Sequence, residues 1–269
     1  MIKYSSFSGQ SIAYTVSGQG TPLVFLHGFC EDSSIWSDFT NHFVNLSCQV
    51  ILIDLPGFGN SATIPNISIS QMAMAVQTVL DELQVQSCLM FGHSMGGYTA
   101  LAYAELFPER LTGLGMIHSH PYADTEERKH NRLKSIDFIR NQGHTIFVKQ
   151  LVPLFFTPAF AKDNRFLVET LTLKAANFDK EGIIAAQQAM AMRPDRSDIL
   201  KNIACPVFFL IGSEDQIIPL DTSLQQTLLP NQAAVHVLDK VGHLGMLESP
   251  RVIQKIFWSF VEWCQTTNT

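Results

Sequence analysis

Residues 92–96 (GHSMG) carry the strongest chemical signal in the sequence. The serine lies between two glycines, after an apolar stretch at 88–91 and before a stretch with helical spacing. A serine on a sharp turn between a strand and a helix exposes its hydroxyl, and such a turn leaves no room for side chains at Gly92 and Gly96. The motif predicts that Ser94 is a nucleophile. The simpler alternative is a glycine-rich turn with an incidental serine.

A second motif, at residues 27–29 (HGF), ends an earlier apolar run. Gly28 allows the backbone to approach a ligand closely. We expect the backbone N–H groups of Phe29 and Met95 to form an oxyanion hole, in which amide donors stabilise the negative charge that develops on an attacked carbonyl oxygen. Taken alone, the motif is equally compatible with an ordinary turn at a strand end. Combined with Ser94, it indicates acyl transfer.

These motifs lie among short apolar runs that alternate with helical patterns. Runs that are apolar at nearly every position are typical of parallel strands buried on both faces, and their alternation with helices predicts a doubly wound α/β sheet. Residues 2–16, with Gly9 and Gln10 between two runs, predict an opening antiparallel hairpin. The predicted strands are 22–26, 50–53, 87–91, 114–118, 207–211 and 234–238, and the predicted helices are 34–43, 70–83, 95–107 and 252–264.

One region interrupts this alternation. Residues 121–196 contain no strong strand signal; the segment is charged at first and then rich in Phe and Leu. No Gly/Ser-rich or Pro-rich linker separates it from its surroundings. We therefore expect a single domain, in which residues 1–120 and 197–269 form the core and residues 121–196 form a helical lid inserted into it.

Five segments, taken together, resemble the α/β-hydrolase fold superfamily and stand in its order along the chain. The resemblance is to the serine hydrolase branch, in particular to small carboxylesterases and enol-lactone hydrolases. It implies a mostly parallel, doubly wound sheet of about eight strands with a lid insertion. The segments are 27–29 (HGF), 54–61 (DLPGFGNS), 92–97 (GHSMGG), 212–219 (GSEDQIIP) and 242–248 (GHLGMLE).

The resemblance also implies the other members of a catalytic triad. Asp215 stands at the position of the acid, and His243 stands in the glycine–histidine turn of the base, so that the order Ser94, Asp215, His243 is that of the superfamily. His243 would take the serine proton and return it to the leaving group, while Asp215 would hold the imidazole in the right tautomer. Glu214, one position off the pattern, and Asp239 are the competing carboxylates.

The function implied is that of a serine hydrolase that cleaves a small carboxylic ester or lactone through an acyl-enzyme, without a cofactor. A C–C bond hydrolase or a perhydrolase-type enzyme would use the same triad. A ligand receptor or signalling partner on the same fold is the non-enzymatic alternative. Haloalkane dehalogenases and epoxide hydrolases are disfavoured, because they resemble this pattern with Asp at the position of Ser94.

Two further candidates, His118 and His120, follow the predicted strand 114–118. The carboxyl end of a parallel strand is where ligands bind, so we expect these side chains to line the substrate pocket. A metal site is disfavoured, because residues i and i+2 of an extended chain point to opposite sides. Residues 57–62 (GFGNSA) match a dinucleotide-binding pattern, but no helix pattern opens inside the loop, as NAD or FAD binding requires. We expect neither a cofactor nor a metal.

Composition excludes several classes of partner. The 18 basic and 24 acidic residues give a net charge of −6 with no basic stripe, which argues against nucleic acid. A charged fraction of 16% argues against intrinsic disorder. The five cysteines are scattered and form no C-x-x-C pair, which argues against a disulfide framework or zinc site.

The expected location is the cytoplasm. The N-terminal residues contain no apolar run typical of a signal peptide. Residues 83–104 are uncharged and long enough to span a bilayer, but their glutamines, glycines and serines make a membrane span improbable. We expect a small-molecule ester or lactone as the partner, with no membrane association. The oligomeric state is left open.

Overall fold

A single sheet of eight strands runs through the computed structural model, which describes residues 1–267. Its order is β1-β2-β4-β3-β5-β6-β7-β8. The strands are β1 (Lys3–Phe7), β2 (Gln10–Gly18), β3 (Thr21–Leu26), β4 (Cys48–Ile53), β5 (Cys88–His93), β6 (Leu111–Ile117), β7 (Val207–Gly212) and β8 (Ala233–Leu238).

Strand directions confirm the mostly parallel sheet. The strands from β4 across β3, β5, β6 and β7 to β8 are all parallel to their neighbours. Strands β1 and β2 form the expected antiparallel hairpin, and β2 also pairs antiparallel with β4. Because β3 and β5 are parallel neighbours in register, with Leu26 opposite Gly92, the loops that follow them lie side by side.

Helices cover both faces of the sheet. Within residues 1–267 they are α1 (Ser37–Val44), α2 (Ile69–Glu82), α3 (Met95–Leu106), α4 (Glu126–Gln142), α5 (His144–Leu151), α6 (Pro158–Asp163), α7 (Arg165–Ala176), α8 (Lys180–Ala191), α9 (Ser197–Lys201), α10 (Leu220–Gln225), α11 (Gly245–Glu248) and α12 (Pro250–Thr267). Short 3₁₀ turns occur at Ser33–Trp36, Pro108–Arg110, Val152–Phe155 and Gln226–Leu228. No helix of the described chain has the length and apolar character that a membrane crossing requires.

Local sequence explains where these elements begin and what they bury. Helix α2 begins after Ser68, whose hydroxyl accepts from the backbone of Gln71 while the Gln71 side chain accepts from the backbone of Ser68; this reciprocal capping satisfies two free amide donors. The apolar face of α12 buries Phe257 against the sheet. Its ring centroid lies 4.1 Å from that of Phe91 and 5.5 Å from that of Phe25, which fixes the helix under β3 and β5.

The loop with the dinucleotide-like pattern folds back on itself. The Asp54 carboxylate accepts from the backbone of Ser33 (2.8 Å) and of Asn60 (2.8 Å). The helix after this loop begins only at Ile69. The loop is therefore wrapped around Asp54, and it does not open into the helix N-terminus that would hold a pyrophosphate.

Residues 118–206, all of which the structure describes, contain no strand and include α4 to α9. This agrees with the helical character predicted for residues 121–196, which we call the insertion. Its backbone meets the core at a close contact, since Gly57 and Gly182 pack so tightly that a Cβ on Gly182 would lie 2.4 Å from the Gly57 carbonyl oxygen.

Candidate active site

Ser94 occupies a strained turn between β5 and α3. Its φ is 51° and its ψ is −113°, a combination that a residue with a side chain adopts only when the surroundings enforce it. The Ser94 N–H donates to the Ile117 carbonyl (3.0 Å), and the Ser94 carbonyl accepts from the Ser119 hydroxyl (2.8 Å). Bonds on both sides therefore hold the turn.

The glycines on either side of Ser94 are required by close backbone contacts. A Cβ on Gly92 would lie 2.2 Å from the Gly96 carbonyl oxygen, and a Cβ on Gly96 would lie 2.5 Å from the Leu26 carbonyl oxygen. Neither position has room for a side chain, for the reason expected from the sequence.

His243 and Asp215 are hydrogen-bonded at the carboxyl edge of the sheet. The His243 Nδ1–H donates to Asp215 Oδ2 over 2.7 Å, and both side chains are almost completely buried. The other carboxylate oxygen, Oδ1, accepts from the backbone N–H of Ile217 (2.8 Å) and of Ile218 (3.0 Å). Neither Glu214 nor Asp239 forms a hydrogen bond or ion pair with His243 among residues 1–267.

The charge of Asp215 follows from these contacts. Burial by itself would raise the pKa of Asp215, but the neighbouring His243 and His118 and the hydrogen bonds to the carboxylate hold that pKa well below its usual range. Asp215 is therefore ionised at every pH at which the protein is expected to work. It can orient the imidazole and stabilise its protonated form.

His118 lies beside Asp215, deep in the protein. Its Nδ1 is 3.6 Å from Asp215 Oδ2, and a Cβ on Gly245 would lie 2.5 Å from its Nε2, so the ring is wedged between the loop of Asp215 and the start of α11. Burial lowers the pKa of His118 to about 4, which keeps the ring neutral. Its backbone has a φ of 44°, and the ring is almost inaccessible, with 1% exposed.

His118, Asp215 and His243 together form a group that the sequence did not reveal. Each brings one potential metal-ligand atom within 4.8 Å of the others. Two nitrogen or oxygen ligands of a tetrahedral zinc ion stand about 3.3 Å apart. The 2.7 Å separation of His243 Nδ1 and Asp215 Oδ2 is instead that of a charge-assisted hydrogen bond.

His120 lies two residues beyond His118, in the loop that follows β6. The Tyr98 hydroxyl is 3.4 Å from its Nε2, and its ring stacks on that of Tyr122. Burial, together with the nearby Arg193 and Arg128, lowers the pKa of His120 to about 3. It lines a cavity of about 440 Å³ whose wall also includes Arg128.

The amides of Phe29 and Met95 are free donors. Within residues 1–267, neither backbone N–H makes a hydrogen bond to another protein group. Met95 is the first residue of α3, where an amide has no partner inside the helix and the helix dipole favours negative charge. Both amides are next to residues whose positions are fixed, Gly28 and Ser94.

Glu31 is a buried polar residue that the sequence reasoning missed. It is 7% exposed, and its Oε2 accepts from the Gly28 N–H (2.8 Å) and faces His93 Nδ1 (3.0 Å). Two consecutive acidic residues, Glu31 and Asp32, are more typical of an exposed turn, so the signal was weak.

The insertion reaches the site directly. The Phe155 carbonyl accepts from the backbone N–H groups of His243 (2.9 Å) and Leu244 (3.0 Å), and the Phe155 ring centroid is 5.6 Å from that of His243. The Phe147 ring centroid is 6.3 Å from that of Phe29. Ser94 and His243 consequently have only 8% and 1% of their surfaces exposed.

Glu248 provides a second connection between the insertion and the His243 turn. Its Oε1 accepts from the N–H groups of Thr157 (3.2 Å) and Gly242 (3.1 Å), and its Oε2 accepts from the Thr157 hydroxyl (3.0 Å). The segment around Phe155 is therefore a fixed wall of the site.

Comparison with known proteins decides the family. A family model described as alpha/beta hydrolase fold matches residues 21–250. The chain belongs to the α/β hydrolase fold family. The strand order and the strained turn at Ser94 between β5 and α3 agree with this membership. The resemblance seen in the sequence is confirmed.

This α/β hydrolase is similar to several known proteins, among them two relatives by sequence and two solved structures. It is 27% identical over 245 residues to the dihydrolipoyllysine-residue acetyltransferase component of the acetoin cleaving system of Pseudomonas putida; the match covers 90% of this chain but only 64% of that protein. It is also 27% identical over 261 residues to a 2-hydroxy-6-oxononadienedioate/2-hydroxy-6-oxononatrienedioate hydrolase of Paraburkholderia phymatum, covering 93% of this chain and 90% of that one.

Among solved structures, a thermophilic esterase from Thermogutta terrifontis superposes with a TM-score of 0.92 at 26% identity, covering 98% of this chain and 99% of that chain. An enol-lactonase from Burkholderia xenovorans has a TM-score of 0.90 at 19% identity, covering 97% and 100%, and this likeness concerns the fold alone. By family and by its hydrolase relatives, the chain is an enzyme of the hydrolase class.

The neutral, buried His120 predicts how the stability of this α/β hydrolase depends on pH. A histidine whose pKa is lowered on folding stabilises the protein fully above the unfolded-state pKa of about 6.5, and this contribution is lost as the pH falls towards the folded-state pKa. We expect His120→Gln to remove this dependence. Between about pH 5.5 and about pH 4.5 the parent should lose about 1 kcal/mol more unfolding free energy than the variant. Urea unfolding at both pH values measures this, and equal losses would contradict it.

Proposed function

We propose that this protein is a serine hydrolase that cleaves a small carboxylic ester or lactone through an acyl-enzyme on Ser94. The observation that carries the proposal is the 2.7 Å hydrogen bond between His243 and Asp215. In the sequence, only the resemblance of motifs had assigned these two residues to a triad with Ser94. The strained, glycine-flanked turn at Ser94 supports the role of nucleophile.

In the proposed mechanism, His243 acts as the base. Because its Nδ1–H is donated to Asp215, the Nε2 atom carries the free electron pair and accepts the Ser94 proton as the serine oxygen attacks the carbonyl carbon. The imidazolium then gives this proton to the leaving alcohol. Water attacks the acyl-enzyme by the same route, with His243 again as base, and Ser94 is regenerated. Asp215 remains ionised throughout.

The amides of Phe29 and Met95 would bind the oxyanion of each tetrahedral intermediate. Two observations support this role. Neither N–H has a protein acceptor within residues 1–267, and Met95 lies at the N-terminus of α3. Donors that are already oriented stabilise developing charge without reorganisation.

We further propose that the insertion acts as a lid over an apolar acyl pocket. Ser94 has only 8% of its surface exposed. Beside the loop that follows Phe29, a space of about 20 Å³ for a water-sized sphere has Phe155, Phe178 and the charged Lys174 among its walls, and it holds about one water molecule. We therefore expect part of the insertion to move when a substrate enters. Because the Phe155 carbonyl is bonded to the His243 turn, the moving part lies elsewhere in the insertion.

The cationic side chains of the insertion are only partly matched by carboxylates. Arg132 and Arg193 share one carboxylate, that of Asp124. Arg128 donates to the Ile217 carbonyl oxygen and forms no ion pair within the described residues. His120 and Arg128 form the wall of a neighbouring cavity, where we place the polar end of the pocket.

A second candidate is a C–C bond hydrolase, and the observation that favours it is the 27% identity to the oxononadienedioate hydrolase. The ester hydrolase and the C–C bond hydrolase are distinguished by assaying the enzyme in parallel on a 2-hydroxy-6-oxo dienoate and on a p-nitrophenyl ester. Turnover of the dienoate with a higher kcat/KM would replace the esterase proposal. A non-enzymatic receptor would give only a few turnovers on either.

The nucleophile is tested by Ser94→Ala. The variant should fold with unchanged circular dichroism and lose nearly all activity on p-nitrophenyl butyrate, because the covalent step is gone and the remaining catalysis is orders of magnitude weaker. Ser259→Ala, which removes an exposed hydroxyl on α12, is the matched control and should keep the parent activity. More than about a tenth of the parent activity in Ser94→Ala would place the nucleophile elsewhere.

The acid is tested by Asp215→Asn. Loss of the orienting carboxylate should lower kcat by on the order of 10⁴. Glu214→Gln, the adjacent carboxylate, should change kcat far less, since Glu214 does not contact His243. Reversed effects in steady-state assays would transfer the role to Glu214.

The apolar pocket predicts a chain-length optimum. One buried methylene contributes roughly 0.8 kcal/mol, so kcat/KM should rise by a few-fold per step from p-nitrophenyl acetate to butyrate or hexanoate and then fall. Phe147→Ala should move the optimum to longer chains, whereas Leu154→Ala, at an exposed position nearby, should not. An optimum at palmitate would indicate an open groove, and an optimum at acetate a much smaller chamber.

A further inference from the structure

We propose that His93 is a charged imidazolium, held by Glu31, and that this buried ion pair positions the oxyanion loop, the Ser94 turn and the His243 turn relative to one another. His93 is thus a positioning residue that does not touch the substrate. The inference rests on the function proposed above for its effect on catalysis, while the charge state of His93 stands on geometry alone.

The contacts form one continuous chain. Glu31 Oε2 accepts from the Gly28 N–H over 2.8 Å and lies 3.0 Å from His93 Nδ1. His93 Nε2 lies 2.8 Å from the His243 carbonyl oxygen. Since His93 precedes Ser94 and Gly28 precedes Phe29, one imidazole ring joins the three loops of the site.

Both ring nitrogens face acceptors. A backbone carbonyl oxygen can only accept, so His93 Nε2 must carry a proton. The Glu31 oxygen that faces Nδ1 already accepts an amide hydrogen, as expected of a carboxylate, so Nδ1 donates as well. A ring that donates from both nitrogens is the imidazolium. The alternative is a protonated Glu31 that donates to a neutral His93.

Charge in the surroundings supports the ionised pair. Burial would lower the pKa of His93, but Glu31, the bond to the His243 carbonyl and the Asp215 carboxylate together raise it. Burial would raise the pKa of Glu31, but His93 and the Gly28 amide lower it. The other titratable groups around the pair include His27, which interacts with Glu31, and His243, whose ring centroid is 4.7 Å from that of His93. The neutral His118 follows at 6.0 Å from His93. Cys30 is neutral too, because burial and Glu31 raise its pKa well above the usual value.

The pair is also enclosed sterically. His93 is 0% exposed, and the Trp36 ring packs against its edge at 6.4 Å between centroids. A Cβ on Gly28 would lie 2.6 Å from His93 Nδ1, so the glycine of the oxyanion loop is needed to admit this ring. Replacing one partner of a buried ion pair leaves the other charge uncompensated, which should lower the stability of the protein and displace the loops that the pair joins.

The charge is measured directly by NMR of the whole protein labelled with ¹⁵N-histidine. We expect His93 to show two protonated nitrogens at pH 7, because both ring nitrogens face acceptors. In Glu31→Gln the same ring should lose one proton near or below neutral pH. A single protonated nitrogen on His93 in the parent at pH 7 would overturn the proposal, whatever the activity assays give.

The positioning role is measured by steady-state kinetics on p-nitrophenyl butyrate. Glu31→Gln and His93→Gln should each lower kcat on the order of tenfold to a hundredfold with little change in KM, because small displacements of catalytic groups affect the chemical step. The double variant should be no worse than the more impaired single variant, since both act through one pair. Glu105→Gln, which breaks the more exposed pair with Arg196, is the control and should leave kcat unchanged.

The outcomes are distinguishable. Parent-like kcat in folded Glu31→Gln, or additive losses in the double variant, would overturn the positioning role. If Ser94→Ala kept its activity, the proposed hydrolase mechanism would fail while the NMR result on His93 would still decide the charge state.

Discussion

The close approach of the Ser94 turn to the end of β3 is the constraint on which the rest of the site depends. A Cβ on Gly96 would lie 2.5 Å from the Leu26 carbonyl oxygen, so the two backbones are in direct contact. This contact is possible because β3 and β5 are parallel neighbours in register. It brings the amide of Met95 and the loop of Phe29 to the same edge of the sheet, as the proposed oxyanion hole requires.

Two buried carboxylates act on two different imidazoles in this arrangement. Asp215 accepts the Nδ1–H of His243 and makes no bond to its Nε2, which suits proton transfer. Glu31 faces His93, whose second nitrogen is also committed, to a carbonyl oxygen. His243 therefore keeps one ring nitrogen available for proton transfer, whereas both ring nitrogens of His93 are hydrogen-bonded. We infer from this difference that one histidine exchanges protons and the other holds geometry.

The insertion belongs to the site as much as the sheet does. The Phe155 carbonyl accepts from two consecutive amides of the His243 turn, and Glu248 joins Thr157 to Gly242. These bonds hold the backbone N–H groups of the His243 turn from the insertion. The His93 ring, at the end of β5, holds the His243 carbonyl oxygen. In its proposed role as a lid, the insertion would exclude water and so strengthen the electrostatic interactions beneath it.

The sequence by itself determined the features that a few neighbouring residues encode. The tight turn at Ser94, the opening hairpin and the alternation of strands with helices follow from glycine positions and apolar periods, and they were predicted correctly. The tertiary structure decided which distant groups meet. Glu31 and His93 are 62 positions apart, and His93 and His243 are 150 apart. The Nδ1 atom of His118, a residue expected to line the substrate pocket, lies 3.6 Å from Asp215 Oδ2, a proximity that no local pattern predicted. Such encounters depend on strand order and loop packing, which local patterns do not specify, because the free energy of a buried polar contact arises only after the chain has enclosed it.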